Sequence, residues 1–94
     1  MNIFSNLKIY AGKWSVKGEP RNFTAEEIAQ VSQAVVVPSQ YGNSVQFTMV
    51  GGGLTYIPLD QNSNCAIGEV IDLTKAKLTT LEKSGEADIY RITI

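Results

Sequence analysis

The chain has 94 residues, of which 44% are hydrophobic and 18% are charged, and its formal net charge is −1. This length allows one domain with a single modest core, and the composition argues against a disordered chain. The chain has one cysteine and no histidine, which excludes an internal disulfide, a Ser-His-Asp triad and the usual zinc sites.

Targeting signals are not apparent in the sequence. The N-terminal stretch MNIFSNLKIYAGK lacks the charged region and unbroken apolar run of a secretory signal. No apolar run approaches the roughly 18 residues that a membrane-spanning helix needs. We therefore expect a cytoplasmic protein without membrane partners, and a single cysteine agrees with a reducing compartment.

Charge is unevenly distributed along the sequence. Residues 1–21 carry a net charge of +3, residues 22–73 carry −5 and residues 74–94 carry +1. The near-neutral total therefore allows one basic and one acidic face on the folded domain.

The first predicted strand runs from about residue 7 to residue 16. Leu7 and Ile9 share one side of this strand, and after Gly12 the apolar positions shift to Trp14 and Val16. Such a shift at a glycine is typical of a β-bulge, which bends a strand as closure of a small barrel requires. The alternative is two shorter strands with a turn at Gly12, and residues 17–22 are predicted to form a loop.

A short helix is predicted next, starting at Ala25 and ending between residues 31 and 33. Thr24 is the predicted N-cap, and Glu27 is placed to complete a capping box with it. The helix is expected to cover one end or side of the sheet.

The rest of the chain reads as short strands separated by turns. The central feature is a hairpin across Gly51–Gly53, in which Val45 and Phe47 alternate with polar residues and are predicted to face the core. The strands predicted after the helix are Ala34–Val37, Ser44–Val50, Leu54–Leu59, one short strand within Ile67–Leu73, Lys77–Glu82 and Ala87–Ile94.

These elements predict a mainly β domain that covers residues 1–94. The favoured architecture is a small antiparallel barrel, OB- or SH3-like, of about five to seven short strands with one short α-helix after the first strand. A sandwich is the other arrangement that short antiparallel strands allow.

Catalytic motifs are not evident, and we expect neither an enzyme nor a bound metal or cofactor. Gly51–Gly53 lack the Lys-Ser/Thr ending and the following helix of a phosphate loop. Cys65 has no histidine base and no neighbouring cation. Asp60, Asn62 and Asn64 lack the glycine and distal glutamate of a calcium loop.

Aromatic and basic residues interleave in the first strand and the central hairpin. Nonspecific single-strand binders combine a cationic groove with rings on which bases stack, worth about 1–3 kcal/mol per base. Trp14 and Phe47 also occupy core-like positions, and scattered lysines often only face solvent. The candidate nucleic-acid-binding residues are Lys8, Tyr10, Lys13, Trp14, Lys17, Arg21, Tyr41 and Tyr56.

Two stretches within residues 31–94, YGNSVQFTMVGGGLTYIPL and GEVIDLTKAKLTTLEKSGEADIYRI, carry a resemblance. They resemble small accessory proteins of phages and mobile elements from gut bacteria, some of which resemble OB-type single-stranded DNA-binding proteins. The resemblance implies a phage or bacterial origin, with the bacterial host cytoplasm as location. It also favours DNA binding and brings no catalytic residue.

Two functions follow as hypotheses. The first is a non-enzymatic binder of single-stranded nucleic acid, with DNA favoured over RNA. The alternative is a protein-interaction module, such as a phage-encoded inhibitor of a host protein or a small assembly subunit, because the net −5 of residues 22–73 suits a basic partner. The last strand, which ends in ITI, also predicts a homo-oligomer formed through edge strands.

Overall fold

A computed structural model describes residues 15–40, 42–82 and 89–94. The helix and strands within these ranges are β1 (Ser15–Asn22), α1 (Ala25–Ala29), β2 (Val31–Ser39), β3 (Gly42–Met49), β4 (Leu54–Pro58), β5 (Lys77–Glu82) and β6 (Ile89–Thr93). The prediction of a mainly β, antiparallel fold is confirmed. The predicted bulge at Gly12 and most of the first predicted strand lie outside the described residues.

The described strands form two antiparallel sheets of three strands each. The first sheet has the order β1-β5-β6, and the second sheet has the order β2-β3-β4. Leu59 joins the sheets by forming a parallel bridge with Ile92, and the Asp60 N–H donates to the Ile92 carbonyl at 2.8 Å. The described strands do not close into a barrel, so the OB- or SH3-like barrel stays a prediction.

The predicted hairpin is confirmed, with β3 and β4 paired on either side of the glycines. Gly51, Gly52 and Gly53 have φ values of 93°, 101° and 91°. These backbone conformations strain any residue with a Cβ atom, which explains the three consecutive glycines. The Met49 N–H donates to the Gly53 carbonyl at 3.0 Å and closes the turn.

The structure differs from the sequence prediction most clearly in three segments. Residues 17–22 belong to β1 instead of a loop, because β1 pairs with β5 on both sides of a register shift between Lys17 and Arg21. Helix α1 ends at Ala29, earlier than predicted, because Val31 already pairs with Met49. Between Ile67 and Leu73 only Val70 forms a bridge, to Val35 of β2, in place of the predicted strand.

The capping box at the start of α1 is confirmed. Thr24 Oγ1 accepts a hydrogen bond from the Glu27 N–H at 3.1 Å, and Glu27 Oε1 accepts one from the Thr24 N–H at 2.9 Å. Five residues form the helix. No helix in the described ranges is long and apolar enough to cross a membrane.

The core lies between the two sheets and draws on both. The predicted inward positions Val45 and Phe47 are fully buried, and the Phe23 ring packs on Phe47 with centroids 6.4 Å apart. The largest fully buried side chains are Phe47, Ile57, Leu78, Leu81, Ile92, Val36 and Val45. The buried residues of β2, β3 and β4 identify the inner side of the second sheet. The residues that alternate with them along each strand lie on its outer side.

Candidate binding surface

The second sheet contains no charged residue. Between Glu27 and Asp60 the sequence has no Asp, Glu, Lys or Arg, and this stretch holds all of β2, β3 and β4. Because side chains alternate along a strand, the residues between the buried ones lie on the outer side of the sheet. The outer side of this sheet is therefore built from apolar, amide and hydroxyl groups.

Strand pairing arranges these outer residues in rows across the sheet. One row runs from Gln33 through Thr48 to Leu54. The next row contains Val70, Val35, Gln46 and Tyr56, with Val70 joined through its bridge to Val35. We call these seven residues the uncharged face: Gln33, Thr48, Leu54, Val70, Val35, Gln46 and Tyr56.

The uncharged face exposes large apolar side chains. Leu54 is 56% exposed, Tyr56 is 47% exposed and Val70 is 61% exposed. The third row of the sheet is less accessible, since Ser44 is buried between half-buried Val37 and Pro58. Leu54 and Tyr56 are neighbours on β4, whereas Val70 lies at the opposite end of its row. Neighbouring large exposed apolar side chains are typical of binding surfaces, whereas single ones are ordinary.

Tyr56 is held in place by its neighbour on β3. Gln46 Nε2 donates a hydrogen bond to Tyr56 Oη at 3.0 Å. This bond uses the phenol oxygen as acceptor and leaves the phenol hydrogen able to donate elsewhere. Tyr56 therefore offers a partner both an apolar ring and a polar group.

A pocket lies at the β2 edge of the second sheet. Its volume is about 180 Å³, and its lining includes Ile28, Val31 and Ile71 together with the polar residues Gln33 and Asp72. Gln33 is the member of the uncharged face in this lining, whereas Ile71 belongs to the buried core. We call it the β2 pocket.

The predicted nucleic-acid-binding residues are placed as follows. Tyr56 lies on the uncharged face, and Arg21 lies near the end of β1. For Lys17 the structure describes the backbone, within β1. The candidates outside the described residues are Lys8, Tyr10, Lys13, Trp14 and Tyr41.

Arg21 is engaged by a carboxylate. Its Nη1 donates to Glu27 Oε1 and its Nη2 to Glu27 Oε2, both at 2.8 Å. The Glu27 side chain is only 8% exposed, against 42% for Arg21. The hydrogen bond from Arg21 holds the pKa of Glu27 below its usual value, and the same bond raises the pKa of Arg21. The two-bond geometry occupies the Nη1–Nη2 edge of the guanidinium, one of the edges through which an arginine can bind a phosphate.

Two other cations in the described part of the chain also lie beside polar groups. Arg91 Nε lies 3.6 Å from Asp60 Oδ2, and Lys77 Nζ donates to Asn22 Oδ1 at 3.1 Å. None of the uncharged face is cationic. Because five of the eight candidate residues and the Lys17 side chain lie outside the described part of the chain, the cationic groove stays a prediction.

Groups that support metal or thiol chemistry are sparse in the described ranges. They contain no cluster of three or more His, Cys, Asp or Glu side chains placed to hold a metal ion. Burial, followed by the nearby Glu69 carboxylate, raises the pKa of the Cys65 thiol. A raised pKa leaves this thiol protonated and weakly nucleophilic at neutral pH.

Sequence analysis did not identify the uncharged face. It interpreted the central hairpin as scaffold, because Val45 and Phe47 have the alternation of core residues. The usable signal was the lack of charge between Glu27 and Asp60. The outer side of a sheet that faces water is usually polar, and the exposed apolar residues Leu54 and Val70 depart from that pattern.

Comparison with known protein families, curated proteins and solved structures finds no match for this chain. Function is therefore inferred from the geometry of the described residues.

Proposed function

We propose that this protein is a non-enzymatic interaction module that binds another protein through the uncharged face. The observation that carries the proposal is the exposure of Leu54, Tyr56 and Val70 together on one charge-free sheet surface. The cores of protein interfaces are depleted in charged residues and enriched in tyrosine. Buried tyrosines are also among the residues that contribute most to binding.

The distribution of charge supports a protein partner over a nucleic acid. Affinity for nucleic acid depends on Lys and Arg side chains that neutralise phosphates. Arg21 and Arg91 face carboxylates of their own chain. A phosphate backbone laid across the uncharged face would meet no opposite charge there.

The test compares two exposed positions on different sheets. Val16 on β1 is 55% exposed and Tyr56 on β4 is 47% exposed, so a lysine at either position stays in solvent in the free protein. We expect the wild type and Val16→Lys to bind the same proteins in affinity capture, and Tyr56→Lys to lose them by about tenfold or more. Equal capture by Tyr56→Lys would contradict the proposal.

Binding of single-stranded DNA is the second candidate, and the exposed Tyr56 ring favours it. A ring that stacks on a base, beside the Gln46 amide that can bond its edge, is a combination that single-strand binders use. In this proposal the two sheets, joined at Leu59 and Ile92, are parts of an OB- or SH3-like barrel. The basic residues of positions 1–21 would supply phosphate contacts in a phage-infected or bacterial cytoplasm.

A salt titration with a fluorescent single-stranded oligonucleotide tests this second candidate. Binding should strengthen steadily as salt falls, because phosphate contacts release counterions. Tyr56→Ala should weaken binding by about 1–3 kcal/mol if a base stacks on the ring. A lack of binding at low salt would overturn the candidate.

A further inference from the structure

We infer that the protein partner binds as an added β-strand, in which an extended, uncharged segment of that partner pairs with the outer edge of β4. The inference rests on the proposed protein-binding function and names the mode of that binding. It is carried by the backbone groups of Leu54 and Tyr56, which point away from β3 and have no further strand beside them in the described ranges.

The pairing of β4 with β3 determines which backbone groups point outward. The Leu59 N–H donates to the Asn43 carbonyl at 2.9 Å, and the Met49 N–H donates to the Gly53 carbonyl at 3.0 Å. In an antiparallel pair, every second residue turns its N–H and its carbonyl toward the neighbouring strand. Between Gly53 and Leu59 the odd-numbered residues therefore bond β3, and the even-numbered residues turn their backbone groups outward. The outward residues are Leu54, Tyr56 and Pro58.

The Pro58 end of this edge is closed. Proline has no N–H to donate, and the parallel bridge between Leu59 and Ile92 places β6 beside this end of β4. Leu54 and Tyr56 lie further toward the glycine turn, where neither has a backbone partner on the outer edge among the described residues. Each offers one N–H donor and one carbonyl acceptor, which an extended backbone can pair with.

The β2 edge of the same sheet is covered by residues 68–71. The Val36 N–H donates to the Glu69 carbonyl at 2.9 Å, and the Ile71 N–H donates to the Ala34 carbonyl at 2.8 Å. The backbone groups at the middle of β2 are therefore bonded within the chain. The two edges of the second sheet differ in this respect.

The edge formed by β1 carries the features that usually prevent pairing with other chains. Its sequence includes Lys17, Glu19 and Pro20, and charged residues and proline are common means of protecting an edge strand. From Leu54 to Tyr56 the β4 edge has neither a charge nor a proline. An edge of this kind readily accepts a further strand.

Side chains on β4 indicate which segment would fit. On neighbouring strands, residues directly opposite each other have their side chains on the same side of the sheet. Partner residues opposite Leu54 and Tyr56 would therefore extend the uncharged face, where apolar or aromatic side chains contact two exposed ones. The residue between them would lie on the side of half-buried Thr55. We expect an uncharged segment with apolar residues at alternate positions.

Amide hydrogen exchange of the wild type, followed residue by residue by NMR, is the first test. The N–H groups of Thr55 and Ile57 bond β3, so after correction for intrinsic rates they should exchange at least about tenfold more slowly than those of Leu54 and Tyr56. Equal exchange at all four positions would contradict the open edge and overturn the inference.

A phage-displayed library of random peptides of about nine residues supplies the probe for the second test. We expect the selected peptides to be uncharged, with apolar residues at alternate positions. Added free at about ten times their dissociation constant, they should slow exchange at Leu54 and Tyr56 by about tenfold. Selected peptides that leave these two amides unprotected, or a selection that enriches no sequence, overturn the inference.

Two substitutions at Tyr56 separate the backbone contact from the side-chain contact. Tyr56→Pro removes the outward N–H, and Tyr56→Val is the control that removes the same ring but keeps the N–H. Because this N–H does not bond β3, an edge strand should accept the proline, which circular dichroism checks. We expect Tyr56→Pro to bind the selected peptides about tenfold more weakly than Tyr56→Val. If Tyr56→Pro does not fold, the exchange measurements on the wild type decide.

The outcomes also separate this inference from the proposed function. Tyr56→Lys keeps the N–H, so affinity capture with this variant tests the side-chain surface alone. Loss of captured proteins by Tyr56→Lys, together with equal peptide binding by Tyr56→Pro and Tyr56→Val, supports the proposed function and overturns the added strand. Unchanged capture by Tyr56→Lys contradicts the proposed function, whereas protection of the Leu54 and Tyr56 amides by peptides still supports pairing at this edge.

Discussion

Charged side chains are paired with each other at one place in this domain, and large apolar side chains are left exposed at another. At the junction of β1 and α1, Arg21 and Glu27 satisfy each other through two hydrogen bonds of 2.8 Å. On the uncharged face, Leu54 and Tyr56 remain about half exposed. The type of a residue alone therefore does not determine its role in this protein. An arginine suggested by sequence for phosphate binding has its partner inside the chain, and a hairpin interpreted as scaffold presents the open surface.

The largest loss of stability is expected from a substitution in the hydrophobic core that both regions share. Phe47 is fully buried on the inner side of the second sheet and contacts Phe23, which directly precedes the capping residue Thr24. Phe47→Ala should reduce the free energy of unfolding by about 3–5 kcal/mol. Urea denaturation measures this, and a loss below about 1 kcal/mol would show that the site tolerates a cavity.

Removing the interaction between Arg21 and Glu27 at the junction of β1 and α1 should cause an intermediate loss of stability. Glu27→Gln removes the carboxylate that accepts from Arg21, and we expect a loss of about 1–2 kcal/mol in the free energy of unfolding. The figure is modest because Arg21 is partly solvated. Glu26→Gln is the matched control, since Glu26 lies in the same first turn and is exposed; it should change stability by less than about 0.5 kcal/mol.

The interaction between Arg21 and Glu27 also predicts how the free energy of unfolding depends on pH. The pKa of Glu27 is lowered from its ordinary 4.5 in the folded protein, so folding favours the ionised carboxylate. Its contribution is complete above the ordinary pKa and is lost as pH falls through the lowered folded value. The difference in unfolding free energy between wild type and Glu27→Gln should therefore be constant well above pH 4.5 and shrink as the pH falls below that value. A difference that stays constant would contradict this assignment.

The smallest effect on stability is expected on the uncharged face. Tyr56→Lys should change the free energy of unfolding by less than about 0.5 kcal/mol, as is usual for exposed positions. The same variant should lose binding of the protein partner of the uncharged face. Thermal unfolding measures the first quantity, and a large destabilisation would mean that Tyr56 supports the fold and not a partner.

Local features were predictable from sequence. The capping box of Thr24 and Glu27 depends on a spacing of three residues, and the hairpin depends on glycines at its turn. These interactions form within a few residues of each other, so the pattern contains them. Both were found where they were expected.

Features that depend on distant pairing were not predictable. Residues 17–22 form a strand because β5 lies beside them, and Ser15 pairs with Glu82, 67 residues away. The partner of Arg21 became visible only when the turn after β1 placed α1 beside it. The exposure of Leu54 and Tyr56 likewise depends on which side of the second sheet the first sheet covers.

The two sheets also differ in how far apart in sequence their strands lie, and this bears on the order of folding. In the second sheet, β2, β3 and β4 are consecutive, with only two and four residues between them in sequence. In the first sheet, Lys77 reaches back 55 residues to Asn22. Closing long loops slows the formation of contacts, so we expect the second sheet to form first. During that interval its inner apolar side would be open as well, and self-association at high concentration would compete with completion of the fold.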